Sequence, residues 1–162
     1  MGNVLKLLLA CLCFVSLKAQ KYSGQLSIED GGIEVAVQVF PENEIVRVTM
    51  VGPVETWFAI GFGKEKMKGS YALLVSINGV EERFLDGRDQ GKLLPSSIKI
   101  TSAAIIDGKR KVILERPLQG KNQTYYSFPN ASLTIPVIYA IGKNEKTNRK
   151  HAQRGQAILD MK

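Results

Sequence analysis

Residues 33–51 read IEVAVQVFPENEIVRVTMV. Ile33, Val35, Val37 and Val39 fall on every second position, and Val46, Val48 and Met50 do the same after a polar interruption. A period of two sends alternate side chains to opposite faces of an extended chain, so each half reads as a strand with one apolar face. A surface helix would instead need apolar residues three and four apart, and beyond the first twenty residues no stretch sustains that pattern.

The same period continues along the chain. TWFAIGF over 56–62, SYALLVSI over 70–77, VEERFL over 80–85 and IKITSAAII over 98–106 read as strands. So do RKVILERPL over 110–118, LTIPVIYAIG over 133–142 and QAILDM over 156–161. Turn signals separate them at Asp30-Gly31-Gly32, Asn78-Gly79, Asp86-Gly87 and Asp107-Gly108. The expected fold is all-β, an immunoglobulin-like antiparallel β-sandwich of about nine strands. The least apolar stretch, Lys143 to Arg154, is expected to be a long loop before the last strand. Loops of that length in a compact domain are commonly functional.

The first twenty residues differ in kind. Lys6 precedes an apolar run from Leu7 to Leu17 that is too short to span a bilayer, the pattern of a secretory signal peptide over 1–19 with cleavage after Ala19. A lipoprotein signal fits less well, because Cys11 lies inside the apolar run rather than at its end. The remaining domain, 20–162, is then secreted or extracytoplasmic. It is expected to lack a transmembrane anchor, because no second apolar run follows in the sequence. Both cysteines, Cys11 and Cys13, leave with the signal, so the domain is expected to hold no disulfide, thiolate nucleophile or cysteine metal ligand.

The chain carries a net charge of +7, and loss of Lys6 and Lys18 leaves the domain basic. No nucleic-acid-binding motif accompanies that charge, so an anionic partner, a polysaccharide, a membrane surface or a cofactor carboxylate suits an exported protein better. Other chemistries lack their motifs. GFGKEKMKG has the wrong spacing for a dinucleotide fingerprint, and Ser70, Asp86 and His151 exist without a nucleophile elbow around any serine. With one histidine, a zinc site would need carboxylates for nearly every other ligand. Two sequons, at Asn122 and Asn130, flank TYYSFP and would place that segment at the surface, with glycosylation in a eukaryotic source.

Two residues stand out by their surroundings. Met67 sits among Lys64, Glu65, Lys66 and Lys68, an unusual setting for a thioether whose ordinary role is to fill apolar gaps. His151, the sole histidine, lies in RKHAQRGQ at 149–156, which reads on composition as a solvated loop. Both are polar-loop residues next to apolar strands, which makes a shared, buried ligand site between two loops at one end of the sandwich plausible.

The fragment WFAIGFGKEKMKGSYALLV at 57–75, followed by YAIG at 139–142 and HAQRGQAILDM at 151–161, resembles the DOMON family. The resemblance covers nearly all of the chain after the signal. Its motifs are an aromatic strand with a Gly-Phe-Gly, a methionine-bearing loop, and a His-x-x-x-Gly opening the closing strand. The haem-binding branch of that family ligates b-type haem through one methionine and one histidine. By motif these are Met67 and His151, 84 positions apart. Tyr71 departs from the family pattern, standing where many members have an acidic residue.

The resemblance implies noncovalent haem b, since no Cys-x-x-Cys-His is present, with both axial positions filled and electron transfer as the function. Trp57, Phe62 and Tyr71 are candidates to line the pocket, although aromatics at period two commonly belong to a sandwich core. Arg154, with Lys143, Lys146, Arg149 and Lys150, is a candidate to neutralise haem propionates or steer a separate redox partner. The chain is expected to be an electron carrier or binding domain without its own catalytic centre. The alternative reading of the same fold is a carbohydrate-binding domain with Trp57 as platform, or a ligand-free interaction module.

Overall fold

The computed structural model describes residues 21–87 and 90–162. The signal peptide expected over 1–19, with Cys11 and Cys13, lies outside the described residues. In chain order the strands are β1 (Tyr22–Ile28), β2 (Ile33–Phe40), β3 (Ile45–Pro53), β4 (Phe58–Phe62), β5 (Ser70–Ser76) and β6 (Gly79–Leu85). There follow β7 (Lys92–Leu93), β8 (Lys99–Ile106), β9 (Lys109–Pro117), β10 (Leu133–Gly142) and β11 (His151–Met161). They form two antiparallel sheets, ordered β1-β2-β3-β9-β8 and β11-β10-β4-β5-β6-β7. Among the described residues no helix is long and apolar enough to cross a membrane.

The alternation that defines the strands also builds the core. Val35, Val37, Val39, Val46, Val48, Met50, Val112 and Leu114 point inward from the five-stranded sheet. They meet Phe58, Ile60, Phe62, Tyr71, Leu73, Val75, Ile135, Val137 and Leu159 of the six-stranded one. Interdigitation of two such faces is what joins the sheets of a sandwich. The β8–β9 hairpin turns on Asp107 and Gly108, both at positive φ (52° and 72°), as a tight two-residue turn requires. On one side the sandwich is stitched shut: Ser23 and Lys162 exchange backbone hydrogen bonds of 2.9 Å in each direction, joining β1 to the end of β11.

The strand count exceeds the sequence expectation of about nine. β1 carries only Leu26 and Ile28 as aliphatic side chains, and β7 is two residues long, so neither shows a periodic signal. β1 exists because its backbone pairs with β2 over the full register from Tyr22↔Val39 to Ile28↔Ile33. The last strand begins earlier than expected. His151 opens β11, and the preceding loop spans only 143–150. The first turns of β11 look loop-like because Gln153 and Gly155 take positions that are apolar elsewhere. The Tyr139 ring lies where a side chain on Gly155 would go, and so covers that backbone.

TYYSFP is also placed differently from expectation. Tyr125 and Phe128 are buried in the core, although Asn122 and Asn130 of the sequons are exposed. The Phe128 ring packs edge-on to Phe62 at 5.1 Å between centroids, and Tyr125 hydrogen-bonds through its hydroxyl to the Pro95 carbonyl at 2.6 Å.

Candidate functional site

The six-stranded sheet has an unusual outer face. On β5 every residue is buried, whereas β2, β3 and β9 alternate buried with half-buried or exposed residues. A strand buried on both sides has something over its solvent face. On that face Ala140, Ala59 and Leu74 lie side by side across β10, β4 and β5, and the next row is Ile138, Gly61, Ala72 and Arg83. Alanine and glycine at four of these positions recess the sheet surface, and the loops around it rise as walls. The result is a pocket of about 910 Å³, within the range of small-molecule and cofactor sites.

One wall is the β4–β5 loop, which carries Met67. It is held at both ends by glycines at positive φ, Gly63 (90°) and Gly69 (87°), a conformation other residues adopt at a cost. The Ser70 amide donates to the Met67 carbonyl (3.0 Å), the Ser70 hydroxyl to the Lys66 carbonyl (2.7 Å), and the Gly69 amide to the Leu85 carbonyl (2.7 Å). These bonds fix the loop while leaving the Met67 side chain half-buried and lining the pocket.

The opposite wall is the 143–150 loop with the start of β11. Trp57 organises it. The Trp57 indole N–H donates to the Lys146 carbonyl (3.2 Å), its amide to the Asn144 carbonyl (3.3 Å), and its carbonyl accepts from the Gly142 amide (2.8 Å). A side chain at Gly142 would collide with the indole, so that glycine is what lets the ring lie against β10. Glu145 supplies a second anchor, accepting from Arg110 Nη2 (2.5 Å) and from the Ile77 amide (3.1 Å). Just beyond, the register between β10 and β11 shifts between Ile141 and Gly142, and there His151 pairs with Gly142. His151 and Arg154 both line the pocket.

The structure therefore brings Met67, His151, Trp57 and Arg154 to one cavity. Phe62 and Tyr71 sit on the other side of the sheet, in the core. Parity explains this: Ala59 and Gly61 face outward from β4, so Phe58, Ile60 and Phe62 face inward, and in β5 Ala72 faces outward while Tyr71 does not. The Tyr71 hydroxyl donates to Glu82 Oε1 (2.6 Å), which also accepts from the Ser97 hydroxyl (2.6 Å). The Arg116 guanidinium lies 4.7 Å from the Tyr71 ring centroid. Burial, above all, lifts the Tyr71 phenol far above its usual range, against the opposing pull of Arg116. The cavity is also not at the end of the sandwich but over the flat of one sheet.

Sequence reasoning missed the pocket floor and its anchors. The signal was present as small residues at outward positions of otherwise bulky strands, Ala59 and Gly61 in FAIGF and Ala72 in SYALLVS. Glu145 and Arg83 carried no such mark.

No family model matches the chain, and no curated protein matches its sequence. Its structure does match a solved one, the cytochrome b domain of pyranose dehydrogenase from Coprinopsis cinerea. The TM-score is 0.60, with 13% sequence identity over 84% of this chain and 80% of that one. The chain has a cytochrome b-domain fold. At that identity the likeness speaks for the two-sheet architecture alone, and what the chain does with this cytochrome b-domain fold must be argued from its own pocket.

Proposed function

We propose that the chain binds b-type haem in the outer-face pocket, with Met67 and His151 as axial ligands, and serves in electron transfer. The observation that carries this reading is that one thioether and the sole imidazole, distant in sequence, both line a single cavity of about 910 Å³ with an alanine- and glycine-lined floor. The donor set suits haem iron, for which imidazole and thioether are established axial ligands. The floor suits a flat group, because Ala59, Gly61, Ala72 and Ala140 leave a shallow depression between two loop walls. Its rim is basic: Lys66, Lys68, Arg149, Lys150 and Arg154 all line it, and their charge offsets that of propionates. The DOMON resemblance of the Met67 and His151 motifs and the cytochrome b-domain fold support the same reading.

When bound, haem supplies a reversible one-electron couple. The protein's part is to hold and insulate it. Leu74 and Ile138 keep water from the sheet side, Ser70 and Gly69 fix the methionine loop, and Trp57 and Glu145 fix the loop that leads into His151. Held by both Met67 and His151, haem would serve to carry electrons and not to bind dioxygen. We further propose export through a signal peptide over 1–19, with electron donor and acceptor as separate molecules. The saccharide reading finds less support, since Trp57 is only 6% exposed and its indole N–H is already engaged, leaving no open stacking platform.

An absorption spectrum of the purified chain titrated with haem tests the proposal. The expected result is a saturable Soret band at one haem per chain, with the sharp reduced bands of a six-coordinate low-spin iron. A chain that takes up no haem, or whose tryptophan fluorescence is quenched by oligosaccharide instead, would sink it.

A further inference from the structure

β8 is exposed at all eight positions, with Ile100, Ile105 and Ile106 at 44%, 65% and 49% exposure. It is the outer strand of the five-stranded sheet and, among the described residues, pairs only with β9, so its other edge presents backbone groups that no described strand takes. Ile100, Ala103 and Ile105 pair with Leu114, Val112 and Arg110, the inward-facing residues of β9, so they lie on the inner face yet overhang the opposite sheet. Natural edge strands are blunted with charges, prolines or extreme shortness. Residues 100–106, ITSAAII, contain no charge and no proline. Apart from Lys99 at its first position, the bulge at Thr101 is the one blunting device on the strand.

We infer that this edge pairs with the same edge of a second copy, extending the two five-stranded sheets into one across a two-fold axis at Ala103. The segment is complementary to itself. An axis at Ala103 sets Ala103 opposite its own counterpart and Ser102 opposite Ala104. Past the bulge, Ile105 of one copy meets Ile100 of the other. The overhanging row then becomes a continuous apolar stripe of four isoleucines and two alanines. At each end Lys99 of one copy comes opposite Ile106 of the other, one position short of Asp107, so opposite charges flank the neutral segment within reach of one another. Directly opposed antiparallel residues approach closely enough for such pairs to stabilise one another.

The assembly stops at two. β1 is stitched to β11 at Ser23 and Lys162, and β7 offers only two residues. An isologous contact between one apolar edge per copy closes, whereas a contact between two different edges would propagate. The pocket opens on the outer face of the other sheet, so both copies keep it accessible.

Sedimentation equilibrium of the chain, with Cys11 and Cys13 replaced by serine, tests this. The expected result is a reversible dimer of the 17.9 kDa chain. Ile105→Lys and Ile100→Lys each raise the dissociation constant at least about tenfold with the far-UV circular dichroism unchanged. Asp107→Asn, which suits the left-handed turn, weakens the dimer less and loses its effect in roughly 1 M salt. Ala103→Cys locates the axis without relying on a disruptive variant: oxidation should join its dimers through one disulfide, whereas Ser96→Cys should not cross-link. A parent that remains monomeric at about 100 µM overturns the proposal, whether residues 1–20 or another protein then cover the edge. So does a dimer indifferent to both isoleucine variants, or one that Ala103→Cys fails to join.

Discussion

Met67 and His151 are not equivalent partners for iron. Imidazole is the stronger ligand in both oxidation states, while thioether sulfur is soft and favours the ferrous form. His151→Ala is therefore expected to lose most haem affinity. Met67→Leu should retain some haem, lower the reduction potential, and let carbon monoxide bind the ferrous form readily where the parent binds it poorly. Equal spectra and potentials for parent and both variants would return His151 to an ordinary pocket-lining residue. Tyr71 makes a different prediction, concerning stability. Its folded-state affinity for the proton is raised by burial, and Tyr125 and Tyr126 are shifted the same way for the same reason. A group whose folded pKa lies above its unfolded value contributes stability in full below the unfolded value, near 10 for tyrosine, and loses it as pH rises beyond. Urea midpoints should accordingly be insensitive to Tyr71 ionisation at pH 8 and fall progressively above about pH 10. Tyr71→Phe, though weaker at neutral pH for want of the bond to Glu82, should fall less steeply over that alkaline range.

The 143–150 loop shows how an element without regular structure is positioned. Its backbone is held by two bonds from Trp57, to the Asn144 and Lys146 carbonyls, and by Glu145, bridging to Arg110 and the Ile77 amide. Trp57→Phe keeps the ring against Gly142 but deletes the indole donor, at a cost of about 0.5–1.5 kcal/mol for a bond of this kind. Amide exchange in 143–150 should speed up in that variant while β2 and β3 keep the parent's protection. Uniform acceleration across the sheets would show that Trp57 acts on the core and not on this wall. Added haem should slow exchange in the same loop in the parent, since coordination at its end supplies a constraint.

Taken whole, the protein stands on buried apolar surface between two sheets. Its two cysteines lie in the first nineteen residues, outside the described residues. If those residues are removed on export, the thermal midpoint should be the same with and without dithiothreitol, and the mature chain should begin near Gln20 or Lys21. A large drop in reductant would mean that Cys11 or Cys13 is retained and bridged. Isoleucines exposed on β8 predict, for the same molecule, association that depends on concentration and not on redox state.

Short apolar runs between turn signals are a local property, so most strands were legible: β2, β3, β4, β5, β6, β8, β9 and β10 all lie within a few residues of where the sequence puts them. β1 and the start of β11 were not, because they are held by backbone pairing with distant strands and not by apolar side chains of their own. The two candidate ligands could be chosen from their odd settings and from the family motifs. Parity within β4 and β5 already sorted Phe62 and Tyr71 from the outward residues, once one residue of each strand was known to face out. Only the tertiary structure decided which face that was. Whether the outer side of Ala59, Gly61 and Ala72 meets water or a wall depends on loops contributed from residues 63–69 and 143–150, and no local pattern encodes that encounter. The fold class rests on the chain's own periodicity, whereas the pocket arises from contacts between segments far apart in sequence.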